Sequence, residues 1–272
     1  MKSKASLHEH LRIRGNLQLE DFNKVIDTAK ARLGEYGIFA LTNFNDKRYE
    51  KFTSLPGYDR QYIGENQSAI YVPEKKVLVI KAQEIPTKQG HFLALGLGHS
   101  KHIKSNQTLE DTIKQAIDFD AIKIADHPFF IAGIGPYLEA HPELIGLFDA
   151  IETHNGEALY GNGQARRFHS AIGWDNYKLG ALSSSDGHTI HELGSSWTEI
   201  DFPDIDNPKD FTSTLKKAVR ATSQQTPRKN HTSYLGTIEH IAKLAFLVKI
   251  APKLGITKYF EGDRPTFDNR LK

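Results

Sequence analysis

Ala5–His10 reads ASLHEH, a short apolar run that ends in two histidines spaced two apart, His8 and His10. On a strand, residues i and i+2 share a face, so both imidazoles point the same way at the strand's end. Ser183–His188, SSSDGH, repeats the arrangement after the run GALS and sets Asp186 and His188 at the same spacing. A turn accounts for Asp186 and Gly187 but not for His188. Between these two stretches, ligand-type residues keep appearing where an apolar run ends or begins. Glu84 follows VLVIKA (Val77–Ala82), and His91 opens HFLALGL (His91–Leu97). His127 lies in IADHPFF after AIKIA (Ala121–Ala125), and His154 in IETHNG after another apolar run. In (β/α) barrels the site gathers at the C-terminal ends of the strands, from several strands at once. Imidazole and carboxylate together suit a divalent metal.

The wider pattern fits an α/β protein. Leu19–Leu33 carries Phe22, Val25, Ile26 and Ala29 at helical spacing, with Glu20 and Asp21 in its first turn. Gly37–Thr42, Ala69–Tyr71, Phe148–Thr153 and Leu179–Ser183 read as further strands; Leu109–Ala116, Phe211–Ala221 and Ile238–Ile250 read as helices. Asn43–Ser68, Asp201–Lys209 and Ser223–Ser233 read as irregular. With no repeat and no linker-like tract, a single domain over residues 1–272 is expected. Thirty-five Lys and Arg against 33 Asp and Glu give a net charge of +2, which argues against a dedicated binder of long duplex nucleic acid. The chain has no cysteine, so thiolate sites are excluded, whereas its 13 histidines are rich for 272 residues. The N-terminus MKSKASLHEH has no apolar run, and no stretch is long and apolar enough to span a membrane. A cytoplasmic protein is therefore expected.

Taken in order, these residues resemble the PHP family, the polymerase and histidinol phosphatase superfamily. LHEH resembles its first motif, LTNF (Leu41–Phe44) the place of its second, and AQEIPTKQGHFLALGL the acidic residue followed by a histidine. ADHP matches an Ala-His-Pro-like motif, IETHN an Ile-Glu-x-x-Asn run, and SSDGH the Ser-Asp-x-His motif. The matched motifs fall within about residues 5–200. The resemblance implies a distorted (β/α)7 TIM-like barrel, closed here by C-terminal helices, that hydrolyses phosphoesters with metals at the strand ends. His8, His10, Glu84 and Asp186 would hold one metal, and Glu84, His91 and His127 a second, with Glu84 bridging. Mn, Fe or Zn would serve as the two divalent ions.

Two positions depart from the family. Phe44 stands where the second motif has a histidine, and Arg14 and Gly15 stand where an acidic ligand follows the first. Both belong to a third metal position, so that position is expected to be lost, with Arg14 supplying positive charge to a substrate phosphoryl oxygen. The implied nucleophile is a metal-activated hydroxide at the dinuclear site. His188 or His154 would act as general acid or orient the phosphoryl group. The expected substrate is a small phosphomonoester, nucleotide or short oligonucleotide, with no membrane partner.

Other polar residues read more plainly. Arg166 and Arg167 fit a solvated helix face, and Lys216, Lys217 and Arg220 a surface stripe. Arg228, Lys229 and His231 could cover the barrel mouth, and Tyr49, Tyr58 and Tyr62 could stack on a ring. His99, His102, His141, His169, His191 and His240 read as surface or packing residues. Two other functions compete: a metal-binding regulatory protein impaired in catalysis, and an amidohydrolase-type C–N hydrolase. The second would need a carboxylated lysine or acidic residue near a middle strand, for which Lys81 and Lys123 are candidates.

Overall fold

The apolar runs form the staves of a nearly closed barrel. The structure, a computed structural model, describes residues 1–11, 18–64, 66–172, 177–207 and 209–224. In chain order the elements are β1 (Lys2–Glu9), α1 (Leu19–Leu33), β2 (Gly37–Asn43), α2 (Arg48–Thr53), β3 (Gln61–Ile63), β4 (Ala69–Val72), β5 (Val77–Pro86) and β6 (His91–Leu95). There follow α3 (Leu109–Asp118), β7 (Ile122–Ala125), α4 (Gly135–Ala140), β8 (Ala150–Asn155), α5 (Asn162–Ile172), β9 (Gly180–Ser184), β10 (Thr198–Asp201) and α6 (Phe211–Arg220). The sheet runs β10–β1–β2–β5–β6–β7–β8–β9.

β1, β2 and β5 are parallel neighbours, as are β7, β8 and β9. Their C-terminal ends share one rim. β6 lies between these two sets and is antiparallel to both β5 and β7, and β10 is antiparallel to β1 at the edge. The distorted barrel read from the sequence is thus correct, but β5 passes to β6 through a tight turn with no helix between them. The reversal carries the start of β6, His91, to the rim where the other strands end. The ring is drawn together there by backbone hydrogen bonds between β1 and the segment after β9. Asp186 N donates to His8 O at 2.9 Å, and His10 N to Gly187 O at 2.8 Å.

The interior is filled by alternate residues of every strand: Ala5 and Leu7, Ile38 and Ala40, Leu78, Ile80 and Ala82, Leu93 and Leu95, Ile122 and Ile124, Ala150 and Leu182. Outside, α1 lays Phe22, Val25, Ile26 and Ala29 over Phe39, Leu41 and Val79. Burial of this kind contributes roughly 1.5–3 kcal/mol per large apolar side chain. The Asp21 carboxylate accepts the Gln18 backbone N–H at 3.0 Å and so satisfies a donor at the start of α1. α6 adds Phe211, Leu215, Ala218 and Val219 to the interior from the end opposite the rim.

Several expectations are corrected. Asn43–Ser68 is not irregular throughout, because it contains α2 and β3. Tyr49 is fully buried, and Tyr58 stacks on Phe22 with 3.6 Å between ring centroids, so neither presents a ring to a ligand. Tyr62 is half exposed and lies under Arg60. Lys216 and Arg220 are not a free stripe; both pair with the buried Asp149, which also takes Lys123. The Ile238–Ile250 helix and Arg14, Gly15, Arg228, Lys229, His231 and His240 lie outside the described residues.

Candidate metal centre

Strand alternation carries the interior face up to the rim, where the apolar residues give way to polar ones. On β5 the inward series Leu78, Ile80, Ala82 continues to Glu84, and on β6 Leu95 and Leu93 lead back to His91. β1 does more. Ala5 and Leu7 face inward, and so do His8 and His10, because the pairing with β2 shifts register between Ser6 and Glu9. That bulge turns the strand by one residue. On β8 a second shift, between Glu152 and His154, aligns Asn155 with Glu152.

Glu84 lies at the centre. Its Oε1 stands 2.5 Å from His91 Nδ1 and 3.1 Å from His127 Nε2, and its Oε2 3.0 Å from His10 Nε2 and 4.0 Å from His8 Nε2. The His8 and His10 Nε2 atoms are 3.1 Å apart, and each lies 3.6 Å from Asp186 Oδ1. A surrounding layer fixes these groups. His8 Nδ1 meets Glu152 Oε1 at 3.1 Å, which leaves Nε2 aimed at the cluster. Asn155 Nδ2 donates to Glu152 Oε2 and to Asp186 Oδ2, both at 3.0 Å. His188 stacks on His10 with 4.8 Å between centroids, and its Nδ1 lies 2.9 Å from Glu157 Oε2.

The electrostatics are those of a site with surplus buried carboxylate. Burial would raise Glu84, but His91, His10 and His127 outweigh it and hold it well below the usual carboxylate range. Burial would lower His127; Asp126 and Glu84 overcome this and carry it up to about 10. His8 is likewise raised against its burial by Asp186 and Glu152. His10 goes the other way, brought down to about 3 by burial and by the neighbouring His188 and His8 against the pull of Glu84. Protons on His8 and His127 thus supply positive charge that the carboxylates demand. A cation would meet the same demand. Asp186 Oδ1 and both Asp126 oxygens are buried with no hydrogen-bond partner among the described residues, although all face other ligand atoms. Orphaned atoms of ligand type that converge on one point fit a divalent metal.

Among the described residues, three groups have ligand atoms within 4.8 Å of one another: His8, His10 and Glu84; Glu84, His91, Asp126 and His127; and His10, Asp186 and His188. All six residues expected as metal ligands therefore meet at the rim. The third group sets His188 beside His10 and Asp186. Phe44 takes the neighbouring space, with its ring centroid 6.0 Å from that of His10 and 5.6 Å from that of His91, both in edge-on contact. His154 is buried on β8 and belongs to none of the three groups.

Sequence reading missed Asp126, Glu152, Asn155 and Glu157, although IETHNGE and ADHP contain them. It also missed Arg48, whose guanidinium bonds the His10 carbonyl and meets Asp46 at 2.7 Å. Lys81 and Lys123 point away from the site. Lys81 Nζ meets Glu50 at 2.5 Å and three loop carbonyls, and Lys123 meets Asp149.

Comparison with known proteins agrees with this geometry. A sequence model described as PHP-associated matches residues 161–219. A search of curated proteins found no match. Among solved structures, a two-domain Bacteroides vulgatus protein containing a predicted PHP-like metal-dependent phosphoesterase aligns at TM-score 0.53 and 18% identity, over 85% of this chain and 65% of its own. The lesion-specific endonuclease Q of Pyrococcus furiosus aligns at 0.55 and 17%, over 84% of this chain and 58% of its own. PsfC from Pseudomonas syringae aligns at 0.60 and 16%, over 89% of this chain and 99% of its own. The chain thus spans less than two thirds of the first proteins it matches. At these identities the likeness is one of fold, and the fold is the PHP-type barrel.

Proposed function

From the premise of a PHP-type barrel, we propose that this chain is a metal-dependent phosphoesterase with a dinuclear site. The observation that carries the reading is Glu84, whose two oxygens are divided between the His91–His127 pair and the His8–His10 pair. His8, His10, Glu84 and Asp186 would hold one ion, and Glu84, His91 and His127 the other. Divalent Mn, Fe or Zn in such a site polarises phosphoryl oxygens and lowers the pKa of water.

The chain's own residues do the rest. Glu152 holds the His8 ring through Nδ1, and Asn155 holds Glu152 and Asp186 together. His188 is the general acid: Glu157 and the Asp186 carbonyl engage Nδ1, and Nε2 gives the leaving oxygen its proton. His154 is a second candidate for that proton. Arg14 binds a phosphoryl oxygen of the substrate.

The substrate in this reading is a small phosphomonoester, nucleotide or short oligonucleotide. The near-neutral net charge of +2 supports that size. An endonuclease Q solved with a 27-mer duplex has the same fold, however, so the fold does not bar longer nucleic acid. No helix among the described residues is long and apolar enough to cross a membrane; a cytoplasmic location belongs to the proposal.

A second reading, a metal-binding protein without turnover, draws on Phe44 in place of a ligand. The C–N hydrolase reading is disfavoured by the outward course of Lys81 and Lys123. Hydrolysis of an aryl phosphomonoester and an aryl phosphodiester, before and after chelation, separates the readings. Activity lost on chelation and restored by Mn or Zn supports the phosphoesterase. Bound metal with no turnover of either ester favours the second reading.

A further inference from the structure

Asp126 continues the inward series Ile122, Ile124 of β7 and is fully buried. Neither of its carboxylate oxygens has a hydrogen-bond partner among the described residues. Two other buried carboxylates close by are well supplied. Glu152 takes the His127 N–H, Asn155 Nδ2 and His8, and Glu9 takes Ser6 Oγ, Gly187 N and Gly194 N. A carboxylate with a structural role is satisfied in that way. Asp126 instead faces ligand atoms: its Oδ2 is 3.4 Å from His127 Nε2, and it converges with Glu84, His91 and His127 within 4.8 Å.

Two adjacent residues of a strand end cannot both face inward by alternation alone. They do here because His127 adopts a left-handed conformation, φ 25°, which turns its side chain back to the side of Asp126. Sparsely populated backbone conformations of this kind persist where the surroundings hold them and concentrate at functional sites. The motif resembled at this stretch carries alanine before its histidine, so the carboxylate is this chain's own feature.

We propose that Asp126 is a fourth protein ligand to the ion held by Glu84, His91 and His127. This rests on the metal-dependent reading above. Four protein ligands fill a tetrahedral zinc site, whereas a catalytic site keeps a position open. An ion that accepts six ligands, such as Mn or Fe, keeps positions for water and substrate. Asp126 would therefore make this position favour Mn or Fe over zinc.

The test is Mn binding to the full chain and its Asp126→Asn variant by calorimetry, with thermal melts in chelator and in Mn. Asparagine keeps the shape and removes the charge. The variant is expected to weaken one class of Mn site by about tenfold or more and to leave the other unchanged. Its rise in Tm from chelator to Mn should be smaller than that of the natural chain, because the variant binds the ion less tightly. Unchanged Mn affinities, or an undiminished rise in Tm with Mn, would overturn the proposal. Turnover plays no part in these readouts. A natural chain that binds Mn and hydrolyses no ester refutes the phosphoesterase alone; a working hydrolase whose variant keeps its Mn affinities refutes Asp126 alone.

Discussion

Glu84 Oε1 and His91 Nδ1 stand 2.5 Å apart, although one residue lies two positions before the end of β5 and the other begins the antiparallel β6. The reversal of one strand creates the contact. In a barrel of uniformly parallel strands, the first residue of the next strand would lie at the far end. Here the tight turn after Pro86 returns the chain at once and adds an imidazole to the carboxylate two positions back.

Glu84→Gln is expected to lower turnover by more than about a hundredfold, beyond what outer-shell substitutions cost at metal sites. Steady-state kinetics in saturating Mn, with metal content of the same sample, checks this. A variant that keeps both its metal and its rate would remove Glu84 from the centre.

Glu157→Gln tests the orientation of His188. Loss of the 2.9 Å contact to Nδ1 is expected to lower kcat by about ten- to a hundredfold, a part of what general acid catalysis contributes, with KM little changed. A rise in KM alone would make Glu157 a substrate contact instead.

Gly133→Ala tests the turn that aims His127. A Cβ at residue 133 would lie 2.3 Å from the Pro128 carbonyl oxygen and 2.4 Å from that of His127. Both obstacles are backbone, so the turn must open. A loss of about 1–3 kcal/mol is expected, with weaker metal binding, measured by denaturant unfolding and by calorimetry.

Glu50 gives the stability a pH dependence away from the metal residues. Burial alone would raise its carboxyl, but His102 and Lys81 outweigh burial and bring it down to about 2. A depressed carboxylate stabilises the fold above its unfolded pKa near 4.5, and the contribution is lost as pH falls from there toward 2. Glu50→Gln should therefore flatten the fall in Tm across this acid range. An unchanged acid limb would mean that the pair with Lys81 contributes nothing to it.

Much of the site was legible because its residues sit where apolar periodicity stops. His8 and His10, Glu84, His127 and the Asp186–His188 pair could be found by spacing alone. What spacing could not show were the departures from regular strands. The bulge in β1 decides that His8 and His10, rather than Glu9, follow Leu7 into the interior. The bulge in β8 selects Asn155. Asp126 was passed over because alternation allows one of two neighbours, and only the left-handed backbone of His127 admits both. α2 was hidden in a polar segment whose core residues, Tyr49 and Phe52, are too few to set a period. Arg220 read as a surface cation because its partner, Asp149, lies 71 residues away in sequence.

The most direct test of the central claim is turnover of an aryl phosphate by metal-free chain as Mn is added in steps. The account predicts no turnover without metal, then a rise that levels off near two ions per chain, as expected of a two-metal site. Full turnover in the presence of chelator, or a rise that is complete at one ion, would contradict it.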